Sequence, residues 1–134
     1  MTFFLDNCIS IHFSEALRAF KVNVVHLQDR YREDAKDETW IPKVCKERLI
    51  IITCDQAQTK YRGKTTVELQ AYQKHRGRAF FLPKGFPTWP RWKQVACFFR
   101  CWETIIATAA TMKAGDMIDL SETGHAAPKH VRKV

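Results

Sequence analysis

Four short apolar runs, Thr2 to Leu5, Val22 to Leu27, Leu49 to Thr53 and Ala79 to Leu82, recur along the chain with helix-patterned stretches between them. The first and third do not alternate polar with apolar residues, which is what parallel strands covered on both faces require. After the first run, Phe13, Leu17 and Phe20 stand at helical spacing, and after the second, Trp40, Ile41, Val44 and Cys45 do so over Asp37 to Glu47. Pro42 in that stretch is tolerable only within a first turn. A polar loop from Gln28 to Lys36 precedes it. A third helix is expected over Thr65 to Lys74, and Val95, Phe98, Phe99, Trp102, Ile105 and Ile106 form a broad stripe along Arg91 to Met112. This order predicts an α/β fold: an open, mostly parallel sheet of four to five strands, helices on both faces, joined by right-handed crossovers.

A chain of 134 residues has room for one such core. Residues 1–112 are expected to form it, leaving 113–134 as a C-terminal tail with one edge strand near Met117 to Leu120. With 46% hydrophobic residues, five glycines and five prolines, disordered and collagen-like chains are excluded. No apolar run approaches the roughly 18 residues of a spanning helix, and no secretory leader pattern opens the chain, so neither a membrane nor an exported location is expected. The five cysteines cannot all pair and none lies in a Cys-x-x-Cys or zinc framework, which makes a reducing cytoplasm the simpler expectation. Cys97 and Cys101 share a helix face, a spacing that suits a metal and equally suits two small buried hydrophobes.

Charge is uneven. Met1 to Thr59 holds eight Lys/Arg and nine Asp/Glu, whereas Lys60 to Arg100 holds ten Lys/Arg against Glu68 alone. A surface carrying Lys60, Arg62, Lys64, Arg76 and Arg78, continued by Lys84, Arg91 and Lys93, suits a polyanion such as RNA. Tyr61, Tyr72, Phe86, Trp89 and Trp92 lie among these cations and offer faces for unpaired bases, though core aromatics would leave the same pattern.

Ligands of open parallel sheets bind beyond the carboxyl ends of the strands. Asp6 follows Phe3-Phe4-Leu5 directly, and Asp55 follows Ile50-Ile51-Ile52-Thr53-Cys54. If these strands are neighbours, their acids converge. Asp37 opens the second helix near the same edge, either as a third acid or simply as a helix N-cap, with Glu38 beside it. At about 5 Å and an effective dielectric of about 20, each like-charged pair costs roughly 3 kcal/mol, which a divalent cation would offset. Oxygen-only ligands favour Mg2+ or Mn2+, and such an ion prepares a water for attack on a phosphodiester. Asp34 and Glu15 are weaker candidates for a fourth acid, and Thr53 is a candidate supporting hydroxyl.

These segments, together with Ser14 to Phe20, Val24-Val25-His26-Leu27, Asp37-Glu38-Thr39-Trp40-Ile41-Pro42 and Phe80 to Phe86, resemble the PIN domain family, and within it the compact group related to VapC toxins. The resemblance covers about Met1 to Met112 and implies a three-layer PIN-like fold. It also implies a metal-dependent endoribonuclease with Asp6, Asp37 and Asp55 holding Mg2+ or Mn2+, and Glu38 as an alternative to Asp37. RNA as substrate, a cognate antitoxin and a homodimer are the partners that follow. The chain departs from fuller members in its short connection between Val25 and Trp40. A catalytically silent RNA- or partner-binding module is the rival reading. A phosphatase using an aspartyl nucleophile fits less well, because Cys8 stands where an Asp-x-Asp pair would place its second acid.

Overall fold

Parallel pairing dominates the computed structural model, which describes residues 1–54 and 67–128. The elements are β1 (Phe3–Leu5), α1 (Ile11–Ala19), β2 (Val24–His26), α2 (Asp37–Lys46), β3 (Ile50–Thr53), α3 (Val67–Lys74), β4 (Arg78–Phe81), α4 (Arg91–Ala109), β5 (Met117–Leu120) and β6 (Ala126–Pro128). The sheet order is β2-β1-β3-β4-β5-β6, parallel throughout except for the last pair. Among the described residues an α/β arrangement of four α-helices and a mostly parallel sheet therefore forms, with six strands rather than four to five. The residues after Met112 contribute two strands. Met117 to Leu120 is an interior strand, and the edge belongs to β6, whose Ala-Ala-Pro sequence has no strand pattern of its own.

Successive strand residues point to opposite sides of the sheet, and the core divides accordingly. Phe3, Leu5, Ile50 and Ile52 pack with Phe13 and Leu17 of α1 and with Phe98, Cys101 and Ile105 of α4. Phe4, Ile51, Ala79 and Phe81 pack with Trp40, Ile41 and Val44 of α2 and with Leu69 and Tyr72 of α3. The Phe4 and Trp40 rings stack at 5.0 Å between centroids. Each such buried side chain contributes about 1.5–3 kcal/mol relative to exposure.

Local chemistry sets the helix ends. Ser10 caps α1 by accepting from the His12 amide at 3.2 Å. In α2 the cap position falls on Lys36, so Asp37 is the first helical residue rather than the cap. Pro42 sits at the sixth helical position, beyond the first turn to which the sequence argument confined it. The surrounding packing of Trp40, Ile41 and Val44 outweighs the lost backbone bond.

One edge of the sheet is β2. There Arg18 Nε donates to the Val24 carbonyl at 3.2 Å, and the His26 amide donates to Asp29 Oδ2 at 2.8 Å. Arg18 and Asp29 are themselves paired. Among the described residues no helix is long and apolar enough to cross a membrane.

Candidate active site

Leu5 pairs with Ile52 in parallel register, so β1 and β3 are neighbours and end at the same edge of the sheet. Asp6 is the first residue past β1. Its amide donates to the Ile52 carbonyl at 3.0 Å, which holds the backbone against β3 for one residue beyond the paired strands. The side chain is only 7% exposed. Thr53 Oγ1 donates to Asp6 Oδ2 at 2.8 Å, and the Asn7 amide approaches Oδ1 at 2.6 Å. Thr53 is fully buried.

The loop after Asp6 is tied down one residue at a time. Gln28 Nε2 donates to Asn7 Oδ1 at 2.6 Å, and Asn7 Nδ2 donates to the Glu33 carbonyl at 3.1 Å. Cys8 is joined to Cys54 by a disulfide, with Cα atoms 6.2 Å apart. His26 is completely buried: its Nδ1 accepts from the Gln28 amide, which leaves the Nε2 proton for the Ile9 carbonyl at 2.7 Å. The cysteine spacing pointed to no such pairing. Two half-cystines 46 positions apart leave no spacing signal, and only the adjacency of β1 and β3 brings them together. Cys45, Cys97 and Cys101 are free and buried, and burial pushes the Cys101 thiol up to about 12 and that of Cys45 to about 11. Cys97 and Cys101 therefore behave as core side chains.

Asp37 and Glu68 open α2 and α3, whose amino ends lie toward this edge. Both helix dipoles favour an acid there. Glu68, the lone acid of the basic segment, is buried at 6% exposure. Tyr72 stands one turn further along α3 and is fully buried. Its phenol is held well above its ordinary value, first by burial and then by the negative charges of Glu68, Asp6 and Asp37. These three carboxylates from three elements thus act on one buried hydroxyl. Sequence reasoning gave Glu68 no role, and its isolation among ten cations was the signal available.

Other candidates fall elsewhere. Asp55, Lys60, Arg62 and Lys64 lie outside the described residues. Glu38 is exposed and lines a cavity of about 370 Å3 with Gln70, Lys74 and His75. Glu15 pairs with His12 and Asp34 with Arg32 on the surface. Arg78 opens β4 and Arg76 precedes it, so both lie at the amino edge of the parallel sheet, opposite Asp6. They border a cavity of about 520 Å3 with Lys46, Arg48 and His75. Lys84 and Arg91 follow the carboxyl end of β4 and are exposed on the Asp6 side of the strands. The described part of the basic segment is therefore split between two edges. Of the proposed stacking aromatics, Tyr72 and Phe86 are buried core, whereas Trp92 is 73% exposed and Trp89 carries Lys93 Nζ 4.1 Å from its ring centroid.

Asp6, Asp37 and Glu68 offer oxygen donors only, the chemistry that suits Mg2+ or Mn2+. Among the described residues, no three His, Cys, Asp or Glu side chains are grouped closely enough to hold an ion. A three-acid site on this edge would therefore need Asp55, the residue after Cys54.

No curated protein and no solved structure matches this sequence. The sequence profile of a family described as PIN like domain matches residues 1–84, which run from β1 through β4 and include Asp6, Asp37, Asp55 and Glu68. With well over half of its length matched, the chain belongs to the PIN-like domain family.

Proposed function

We propose that this protein is a metal-dependent endoribonuclease that hydrolyses RNA phosphodiester bonds, the toxin of a prokaryotic toxin–antitoxin pair. The observation that carries the reading is the placement of Asp6: a buried carboxylate at the carboxyl end of β1, held by Thr53 of the neighbouring strand, beside the segment that continues to Asp55. Asp6, Asp37 and Asp55 are the residues that would hold Mg2+ or Mn2+, with Glu68 nearby as a further acid. Such an ion supplies charge stabilisation at the phosphate and a lowered pKa for water.

The chain's own groups do the rest. Thr53 donates to one oxygen of Asp6 and the Asn7 amide approaches the other, so the carboxylate is held in a defined orientation. Lys84 and Arg91 flank the same edge and suit the phosphates of the strand being cut. Trp92, largely exposed to solvent, suits an unpaired base. An antitoxin or a second copy is the protein partner this reading implies, and the row of exposed Trp92, Val95, Phe99 and Ile106 along α4 supports one.

The decisive experiment incubates structured RNAs with the purified protein, with and without Mn2+. Metal-dependent cleavage is expected, and Asp6→Asn should lower it by at least about 100-fold, several kcal/mol of charge stabilisation being lost, while circular dichroism stays unchanged. RNA retained without cleavage under Mn2+ would instead establish the silent binding module.

A further inference from the structure

At the amino edge of the sheet, opposite Asp6, the ends of α2 and α3 and the start of β4 border a cavity of about 520 Å3. Lys46, Arg48, Arg76 and Arg78 stand around it with His75 beside them, and among the described residues no acid lines it. Cys45 and Leu49 are buried and Met112 is half-buried, so the floor is apolar and the charges stand at the rim.

Helix ends explain part of this charge. The carbonyl ends of α2 and α3 each carry about half an elementary negative charge, which a basic side chain offsets. Four full cations exceed what two such ends require. The acids adjoining in sequence are engaged elsewhere: Glu47 pairs with Arg30, and Asp116 accepts from the Lys113 amide at 2.8 Å. None of the four cations forms an ion pair among the described residues. Two of the guanidiniums are set in place by backbone carbonyls. Arg78 Nη2 donates to the Arg48 carbonyl at 2.6 Å, and Arg76 Nη2 to that of Ala114 at 3.4 Å, so each keeps further N–H groups for a ligand. A guanidinium held in this way loses less freedom on meeting a phosphate, whose oxygens match its fork.

We propose that this cavity binds a nucleotide-sized organic phosphate, its phosphates against Arg48, Arg76 and Arg78 and its ring over Leu49 and Met112. The volume falls within the usual range for small-molecule sites. A ligand with an apolar ring and charged phosphates matches a floor and a rim of opposite character, whereas a bare anion would leave the floor uncovered. The site is separate from the edge that carries Asp6 and stands whether or not RNA is cut there.

ADP serves as the probe, titrated calorimetrically into the full chain in EDTA so that no metal ion contributes. One-to-one binding with a Kd below about 1 mM is expected. The discriminating variant combines Arg48→Gly with Arg76→Gly. Both residues have left-handed backbone, with φ of 62° and 53°, where glycine is favoured, so the charges are removed while the fold keeps its stability. ADP affinity should fall by about tenfold or more, the scale of losing charge-assisted hydrogen bonds, with no drop in the thermal midpoint. Pyrophosphate alone and adenosine alone should each bind about tenfold more weakly than ADP. Absence of saturable ADP binding, unchanged affinity in the double variant, or pyrophosphate binding as tight as that of ADP overturns the proposal. Displacement of ADP by single-stranded RNA at matched phosphate concentration also overturns it and gives this edge to the polymer. Should the double variant unfold, Lys46→Ala at the exposed rim replaces it, and unchanged ADP affinity there overturns the proposal. Metal-dependent RNA cleavage is measured separately, so either reading can fail while the other stands.

Discussion

Tyr72 reports most directly on the charge gathered at the carboxyl edge. Its phenol sits well above the ordinary value of 10.0, through burial first and then the acids Glu68, Asp6 and Asp37. In the unfolded chain it releases its proton near pH 10, while the folded protein keeps it. The folded state then binds the extra proton, so stability is full below about pH 10 and falls as pH rises above it. Urea midpoints measured between pH 9 and 11 should therefore drop more steeply for the wild type than for Tyr72→Phe. Parallel curves would mean that the folded protein does not hold this phenol above its ordinary value. At the same scale, Thr53→Val should cost about 1–3 kcal/mol of stability, because it leaves an oxygen of the buried Asp6 without its donor.

Along α4 the two sides of one helix carry different duties. Phe98 is fully buried and stacks against Trp102, whereas Trp92 projects into solvent. Phe98→Ala should lower stability by about 3–5 kcal/mol, and Trp92→Ala should leave it within about 0.5 kcal/mol, both read from denaturant melts. This helix was legible in the sequence because its period spans five turns, and β1 and β3 were legible because runs such as Ile50-Ile51-Ile52 admit few other conformations. The edge strand β6 was not, since Ala-Ala-Pro is ordered by pairing with β5 and by nothing in its own composition. Asp6 could be read as a site residue because a polar residue directly ends an apolar strand. Glu68 had only its isolation among cations to mark it, because a glutamate in a first helical turn is ordinary until the fold buries it. Nor could Arg76 and Arg78 be assigned an edge before the direction of β4 was known.

At the scale of the whole molecule, the split of the basic segment makes a testable division of labour. Charge reversal at Lys84 and Arg91, on the Asp6 side, should weaken RNA binding more than reversal at Arg76 and Lys46 on the opposite edge, measured by fluorescence anisotropy. If about five phosphates are neutralised, the slope of log affinity against log salt for single-stranded RNA should be near −3 to −4. Equal losses from both pairs would mean that the strand wraps around both edges.

The two outermost strands also bear on how this molecule meets others. At β2 the outward carbonyl of Val24 and amide of His26 are taken by Arg18 and Asp29, and at β6 Pro128 has no amide proton to give. An incoming polypeptide seeking to continue the sheet as an added ribbon finds two of the outward positions of β2 already taken and one donor missing from β6. The same few side chains weigh against runaway stacking of these domains through their rims.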